Sequence, residues 1–132
     1  MSTPVILFAC VHNSGRSVAA RVLAEHYANG RVHAISAGSE PGDHLNPTVV
    51  QVLAERGLDA SAETPKLLDF DTVKGADVVI TMGCGETCPV APGKRYEDWV
   101  LDDPKDQDLD TVRRIVADID ARVQTLLKEL TS

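Results

Sequence analysis

Residues 4–17 read Pro-Val-Ile-Leu-Phe-Ala-Cys-Val-His-Asn-Ser-Gly-Arg-Ser. The first six are short, apolar and partly β-branched, the composition of a strand buried on both faces. The chain then turns abruptly small and polar. From Ser17 to Tyr27 a helical spacing sets in, with Val18, Ala19, Val22 and Leu23 on one face. A buried strand, a tight polar loop and a helix form the opening unit of a parallel sheet covered by helices.

Outward from that unit the same alternation continues. Asn29-Gly30 stops the helix, and residues 31–36 alternate as a second strand ended by Ala37-Gly38. Asn46-Pro47 starts another helix, a capping residue followed by Pro in the first turn. Val49, Val50, Leu53 and Ala54 give its apolar stripe, and Gly57 stands where a C-terminal cap belongs. Residues 67–74 read as a short helix, 77–82 as a third buried strand, and 95–101 as a weaker fourth containing Tyr96 and Trp99. Val112, Ile115, Val116, Ile119, Val123, Leu126, Leu127 and Leu130 recur at helical spacing and make the longest helix, with Asp110 as its expected cap. The expectation is one α/β domain over residues 1–132, a four-stranded parallel sheet flanked by helices in three layers. In such sheets ligands lie beyond the carboxyl ends of the strands. The loops there begin near Cys10, Cys84 and Asp102, so the reactive candidates share one rim.

Composition narrows the function. The chain has 132 residues, enough for a sizeable core, and its 43% hydrophobic and 25% charged residues are those of a folded globular protein. A net charge of −7 argues against nucleic acid as a partner, and it means that no overall field draws an anion in. Any anion site must therefore be built locally. No basic stretch precedes a long apolar run near Met1, and the apolar runs 5–9 and 78–80 are too short to span a bilayer. A cytoplasmic protein with no membrane partner is expected, in a compartment where thiols stay reduced. Its three cysteines are an odd number, unsuited to a fixed disulfide framework and open to nucleophilic or redox chemistry.

The loop from Cys10 to Ser17 has the residues an oxyanion needs. A short loop curling into a helix N-terminus turns backbone N–H groups inward, and those of Val11, His12, Asn13, Ser14, Gly15, Arg16 and Ser17 are the candidate nest. Gly15 is expected to supply the unusual backbone conformation. Arg16 can grip two oxygens through its planar fork. Cys10 lies at the base, where the same N–H groups and the helix dipole favour its thiolate, and the Ser17 hydroxyl can add a donor to the sulfur. The bland alternative is a buried Cys beside a surface Arg. The complete Cys-x5-Arg-Ser string, between a strand and a helix, outweighs it.

This string resembles the phosphate-binding loop of low-molecular-weight protein tyrosine phosphatases and of the arsenate reductases that share their fold. The resemblance extends through Ser36-Ala37-Gly38, Asn46-Pro47, Pro65-Lys66-Leu67, the third strand, and Trp99 to Pro104. It implies a four-stranded parallel sheet with helices, in agreement with the pattern above. It also implies that the Asp before Pro, Asp103, donates a proton to the departing oxygen. Pro104 biases Asp103 toward extended backbone.

Gly83-Cys84-Gly85-Glu86-Thr87-Cys88-Pro89 separates the two branches of that family. Two cysteines four apart can pair if the loop folds back or remains one helical turn, and flanking glycines let Cys84 swing. A phosphatase needs neither cysteine. The resemblance to arsenate reductases implies a relay in which Cys10 attacks arsenate, Cys84 resolves Cys10, and Cys88 takes over the disulfide. The reduced state is then restored by thioredoxin or an equivalent dithiol. The close spacing resembles an actinobacterial-type variant, since the best-known thioredoxin-coupled enzymes space their resolving cysteines further apart. The segment after Pro104, Lys105-Asp106-Gln107-Asp108, lacks the aromatic walls of a phosphotyrosine pocket. A zinc site is disfavoured because only the scattered His12, His26, His33 and His44 accompany the cysteines. Some members of the resembling family hold potassium with acids near the loop. Here Arg21 and Lys66 stand at those places, so neither metal nor other cofactor is expected. The rivals are a low-molecular-weight phosphatase with protective cysteines and a non-catalytic redox sensor or phosphocarrier. Arg16, a clamp suited to turnover, argues against the carrier.

Overall fold

A computed structural model of the chain describes residues 3–13, 15–82 and 93–131, so Ser14, Cys84 and Cys88 lie outside the described residues. The elements are β1 (Val5–Cys10), α1 (Arg16–Ala28), β2 (His33–Gly38), α2 (Pro47–Glu55), α3 (Phe70–Lys74), β3 (Val78–Thr81), β4 (Arg95–Asp98) and α4 (Leu109–Thr131). The four strands form one parallel sheet in the order β2-β1-β3-β4. At its carboxyl edge Cys10 pairs with Gly38, and Ala9 with Thr81. The chain leaves β1 toward β2 on one side and later returns to β3 on the other. The loop after β1 therefore occupies the point where strand order reverses, the ligand crevice of open α/β sheets.

The strand's pleat explains its unbroken apolar run. Ile6, Phe8 and Cys10 face a core shared with α1, α2 and α4, while Leu7 and Ala9 face a smaller core with Ala37, Leu68, Val73, Ala76 and Val79. Both faces are covered, and Ile6 to Ala9 are inaccessible to solvent. Trp99 packs its ring against Phe8 with centroids 5.9 Å apart.

Helix starts follow local hydrogen bonds. Asn46 Oδ1 accepts from the N–H groups of Thr48 and Val49, at 2.9 and 3.2 Å, with Pro47 in the first turn. Gly57 lies just past the helix end at φ +80°. The helix expected over 67–74 begins only at Phe70, because Leu67 is engaged in a parallel bridge with Gly38 and Asp69 caps the start by accepting from Thr72 N–H at 2.7 Å. The fourth strand ends at Asp98 instead of 101, although Trp99 N–H still reaches Thr81 O at 2.8 Å. The cap of α4 is Asp108, which accepts from Thr111 N–H at 2.8 Å, and not Asp110. Asp110 lies inside the first turn and pairs with Arg113 at 2.7 Å.

One polar group interrupts the apolar stripe of α4. Buried Asp120 accepts from the Tyr27 hydroxyl of α1 and from Arg56 Nη1 at the end of α2, both at 2.8 Å, and from Gln124 one turn on. That hydrogen bond, followed by burial, raises the Tyr27 hydroxyl above its ordinary pKa of 10.0. Among the described residues no helix is long and apolar enough to cross a membrane.

Candidate active site

Cys10 ends β1 almost fully buried, 3% exposed, on the face covered by α1. The carbonyls of Cys10, Val11 and His12 are all tied outward: they accept from the N–H groups of Ser39, Glu40 and Gly42 at 3.2, 2.7 and 2.9 Å. In a planar trans peptide the N–H points opposite to the C=O. The N–H groups of Val11, His12 and Asn13 are thereby turned away from that strap, and Asn13 N–H reaches Cys10 Sγ at 3.2 Å.

Among the described residues of this loop Asn13 takes the left-handed backbone, at φ +49°, and Gly15 sits at φ −142°, ψ −82°, outside the helical and extended regions, as expected of it. Gly15 has a second reason to be glycine: a Cβ there would stand 2.9 Å from Pro104 Cγ. Gly38 is under the same constraint from the other side, where a Cβ would lie 2.6 Å from Val11 O and 2.8 Å from Asn13 N. The loop is pressed between the end of β2 and Pro104. Gly15 also has no side chain with which to cap α1, so it does not occupy the first-turn N–H groups of that helix.

The Asn13 side chain, which the sequence pattern marked only for its backbone, organises the sulfur's surroundings. Its Oδ1 accepts from Lys66 N–H at 2.9 Å. A backbone N–H can only donate, so the amide's orientation is fixed and its NH2 faces Ser17 Oγ, 2.8 Å away. Ser17 Oγ thus accepts from Asn13 Nδ2 and lies 2.9 Å from Cys10 Sγ, where its hydroxyl can donate to a thiolate. Asn13 and Ser17 are both completely buried. A thiolate at this position would find two donors, Asn13 N–H and the Ser17 hydroxyl.

Arg16 and Asp103 face one another across the mouth, Nη2 to Oδ2 3.8 Å, with the arginine side chain 11% exposed and the carboxylate 55%. Asp103 Oδ1 accepts from Lys105 N–H at 3.0 Å, a turn over buried Pro104 that holds the carboxylate above the loop. A cleft of about 480 Å³ opens here, lined by Cys10, His12, Arg16, His44 and Asp103 among others. Among the described residues no Phe, Tyr or Trp lines it. Asp102 faces a separate depression beside Arg114 and Asp118. The His12 ring takes no part in holding the sulfur; its Nδ1 lies 3.0 Å from Glu40 O. Arg21, on the turn of α1 after Ser17, donates to Glu63 Oε1 at 2.8 Å and to Ala34 O at 3.1 Å.

Cys10, His12, Asn13, Gly15, Arg16, Ser17 and Asp103 are thus brought to one cleft or its base, while the Val11 side chain packs against the smaller core on the other face of the sheet. The role of Asn13 as a left-handed, amide-oriented pivot was readable in principle, since Asn tolerates positive φ better than most residues.

Residues 5–132 match the family described as low molecular weight phosphotyrosine protein phosphatase. A putative arsenate reductase of Halobacterium salinarum is 38% identical over 133 residues, covering 97% of this chain and 94% of its own. A glutaredoxin arsenate reductase of Synechocystis is 30% identical, covering 96% of this chain and 98% of its own. Among solved structures, the thioredoxin-dependent arsenate reductase of Corynebacterium glutamicum superposes with a TM-score of 0.86 at 44% identity over 96% of this chain, which spans 61% of that protein's length.

Proposed function

The chain belongs to the low-molecular-weight phosphotyrosine protein phosphatase family, and from that premise we propose that it reduces arsenate to arsenite. The observation that carries the reading is the pairing of a preformed nest around Cys10 with a cleft that lacks aromatic walls, in a chain whose full-length relatives include arsenate reductases. A small inorganic oxyanion fits such a cleft better than a phosphorylated tyrosine.

The Cys10 thiolate attacks arsenic held by the loop N–H groups and Arg16, and Asp103 protonates the oxygen that leaves as water. The Cys84 thiolate then attacks Cys10 Sγ. An S–S bond forms, the S–As electron pair passes to arsenic, and arsenite departs with arsenic reduced by two electrons. Cys88 attacks Cys84, freeing Cys10 as thiolate and leaving a Cys84–Cys88 disulfide. An external dithiol, thioredoxin or glutaredoxin in kind, reduces that pair. The two relatives whose names specify thioredoxin and glutaredoxin support this class of partner. A thiol-reducing compartment such as the cytoplasm suits the cycle.

The test is arsenate-dependent NADPH oxidation with thioredoxin and its reductase, set against turnover of an aryl phosphate. Reduction should dominate. Efficient aryl phosphate hydrolysis without arsenate-dependent oxidation would overturn the reading in favour of a phosphatase.

A further inference from the structure

We propose that the Arg21–Glu63 ion pair is a positioning device for the Cys10 thiolate, acting through Lys66 and Asn13 although neither side chain touches the sulfur. The inference rests on Cys10 as the nucleophile.

Arg21 lies four residues after Ser17 on α1, on the same face of the helix. Its guanidinium is fixed at both ends: Nε donates to Ala34 O of β2 at 3.1 Å and Nη1 to Glu63 Oε1 at 2.8 Å. The N–H of the same residue is held from the same helix, since Ala34 N–H donates to Glu25 Oε1 at 2.9 Å. Both charged side chains are mostly covered, Arg21 25% and Glu63 17% exposed, so the pair is screened less than an open surface pair.

Glu63 belongs to the segment between α2 and α3, and what that segment touches next is the active-site loop. Only Thr64 and Pro65 separate Glu63 from Lys66. Proline fixes its own φ and restricts the residue before it, so this link is stiff and displacement of Glu63 carries to Lys66. Lys66 is seated by its carbonyl, which accepts from Gly38 N–H at 2.8 Å, and its N–H is the donor that sets the Asn13 amide. That amide in turn donates to Ser17 Oγ at 2.8 Å and so seats the hydroxyl 2.9 Å from Cys10 Sγ. An anchored arginine thus holds one end of a short rigid lever whose other end decides whether two donors stay on the sulfur.

The experiment uses the full chain and needs no arsenate. Cys10 alkylation by iodoacetamide is followed by mass spectrometry of the Cys10 peptide across pH, with thermal melts as the folding control. In Glu63→Gln and Arg21→Gln the rate should fall about 5-fold near pH ~6 and be unchanged near pH ~9, because what is lost is thiolate and not access. Arg21→Lys, which keeps a charged donor at that place, should lose less than Arg21→Gln. Adding Glu63→Gln to Asn13→Ala should have no further effect, since the lever acts through that amide. If the Gln variants do not fold, Glu63→Asp, one methylene shorter, is read the same way. Profiles of folded variants that superpose on the parent would overturn the proposal, as would an undiminished Glu63 effect in the Asn13→Ala background. Alkylation reports on the thiolate alone, so a flat profile leaves the reductase reading standing, and failed arsenate reduction leaves this test readable.

Discussion

Around Cys10, substitutions divide into those that remove a reacting group and those that loosen what holds one. Cys10→Ser should abolish arsenate reduction, and Arg16→Ala should lower it by about 10²–10³-fold, the usual loss for one oxyanion donor. Neither should move the melting temperature by more than a few degrees, because both residues serve the cleft. Steady-state assays beside thermal melts check this, and near-parental reduction by Cys10→Ser would sink the scheme. Asp103→Asn should slow the first chemical step by about 10²-fold, as loss of a general acid does. Asp102→Asn should do little, since Asp102 faces another depression. Single-turnover kinetics rank the two, and the reverse order would reassign the acid. At this scale the chemistry-bearing types were legible in the sequence, while their local geometry was less so. Glycine is the habitual guess for left-handed backbone, yet Asn13 takes it here, while Gly15 combines its own unusual dihedrals with close contact to Pro104. No spacing rule reveals that the Asn13 amide answers to Lys66, because that contact bridges 53 positions of sequence.

Among the elements, the junction of α1, α2 and α4 rests on Asp120. Removing it leaves Tyr27 and Arg56 without their shared acceptor, so Asp120→Ala should lower the unfolding free energy by about 2–4 kcal/mol. Arsenate turnover should survive below the new melting point, because Tyr27 lies near the opposite end of α1 from Arg16. Denaturant titration with parallel activity assays checks both. The raised pKa of Tyr27 adds a pH signature. The folded state holds that proton more tightly than the unfolded chain, so this contribution is fully present below pH 10.0 and is lost as pH rises beyond it. Tyr27→Phe should flatten that alkaline loss. The four strands and the main helices are legible from periodicity, and their ends less so. Asp108 and Asp110 are equally good caps by type, and only the Thr111 hydrogen bond decides between them. Asp120 was detectable, since Ile119 and Val123 place it inside the stripe by helical phase, but a search for apolar residues passes over it.

For the whole molecule, alternating strands and helices disclose a parallel sheet, but the order β2-β1-β3-β4 comes from long-range pairing that local pattern does not encode. The two arms of the cleft nonetheless follow the rule that sites gather at the carboxyl edge, with the loop after β1 meeting the turn after β4. The proposed relay needs all three cysteines, and it predicts a thiol count. Reduced protein given arsenate without reductant should lose two of its three thiols in one turnover, with the bond mapped to Cys84–Cys88. Cys88→Ser should trap Cys10–Cys84 instead. Three thiols remaining after arsenate would favour the phosphatase reading. Finally, the carbonyls tied off by Ser39, Glu40 and Gly42 mean that the Val11, His12 and Asn13 side of the cradle is oriented by the protein itself and needs no anion to set it. Such a cradle recognises tetrahedral shape and negative charge, and it is blind to the atom at the centre. Phosphate and arsenate should enter it alike, so phosphate should raise the apparent KM for arsenate while leaving kcat unchanged. Selectivity then belongs to valence and not to fit: of the two central atoms, only arsenic readily accepts the electron pair that a second thiol releases.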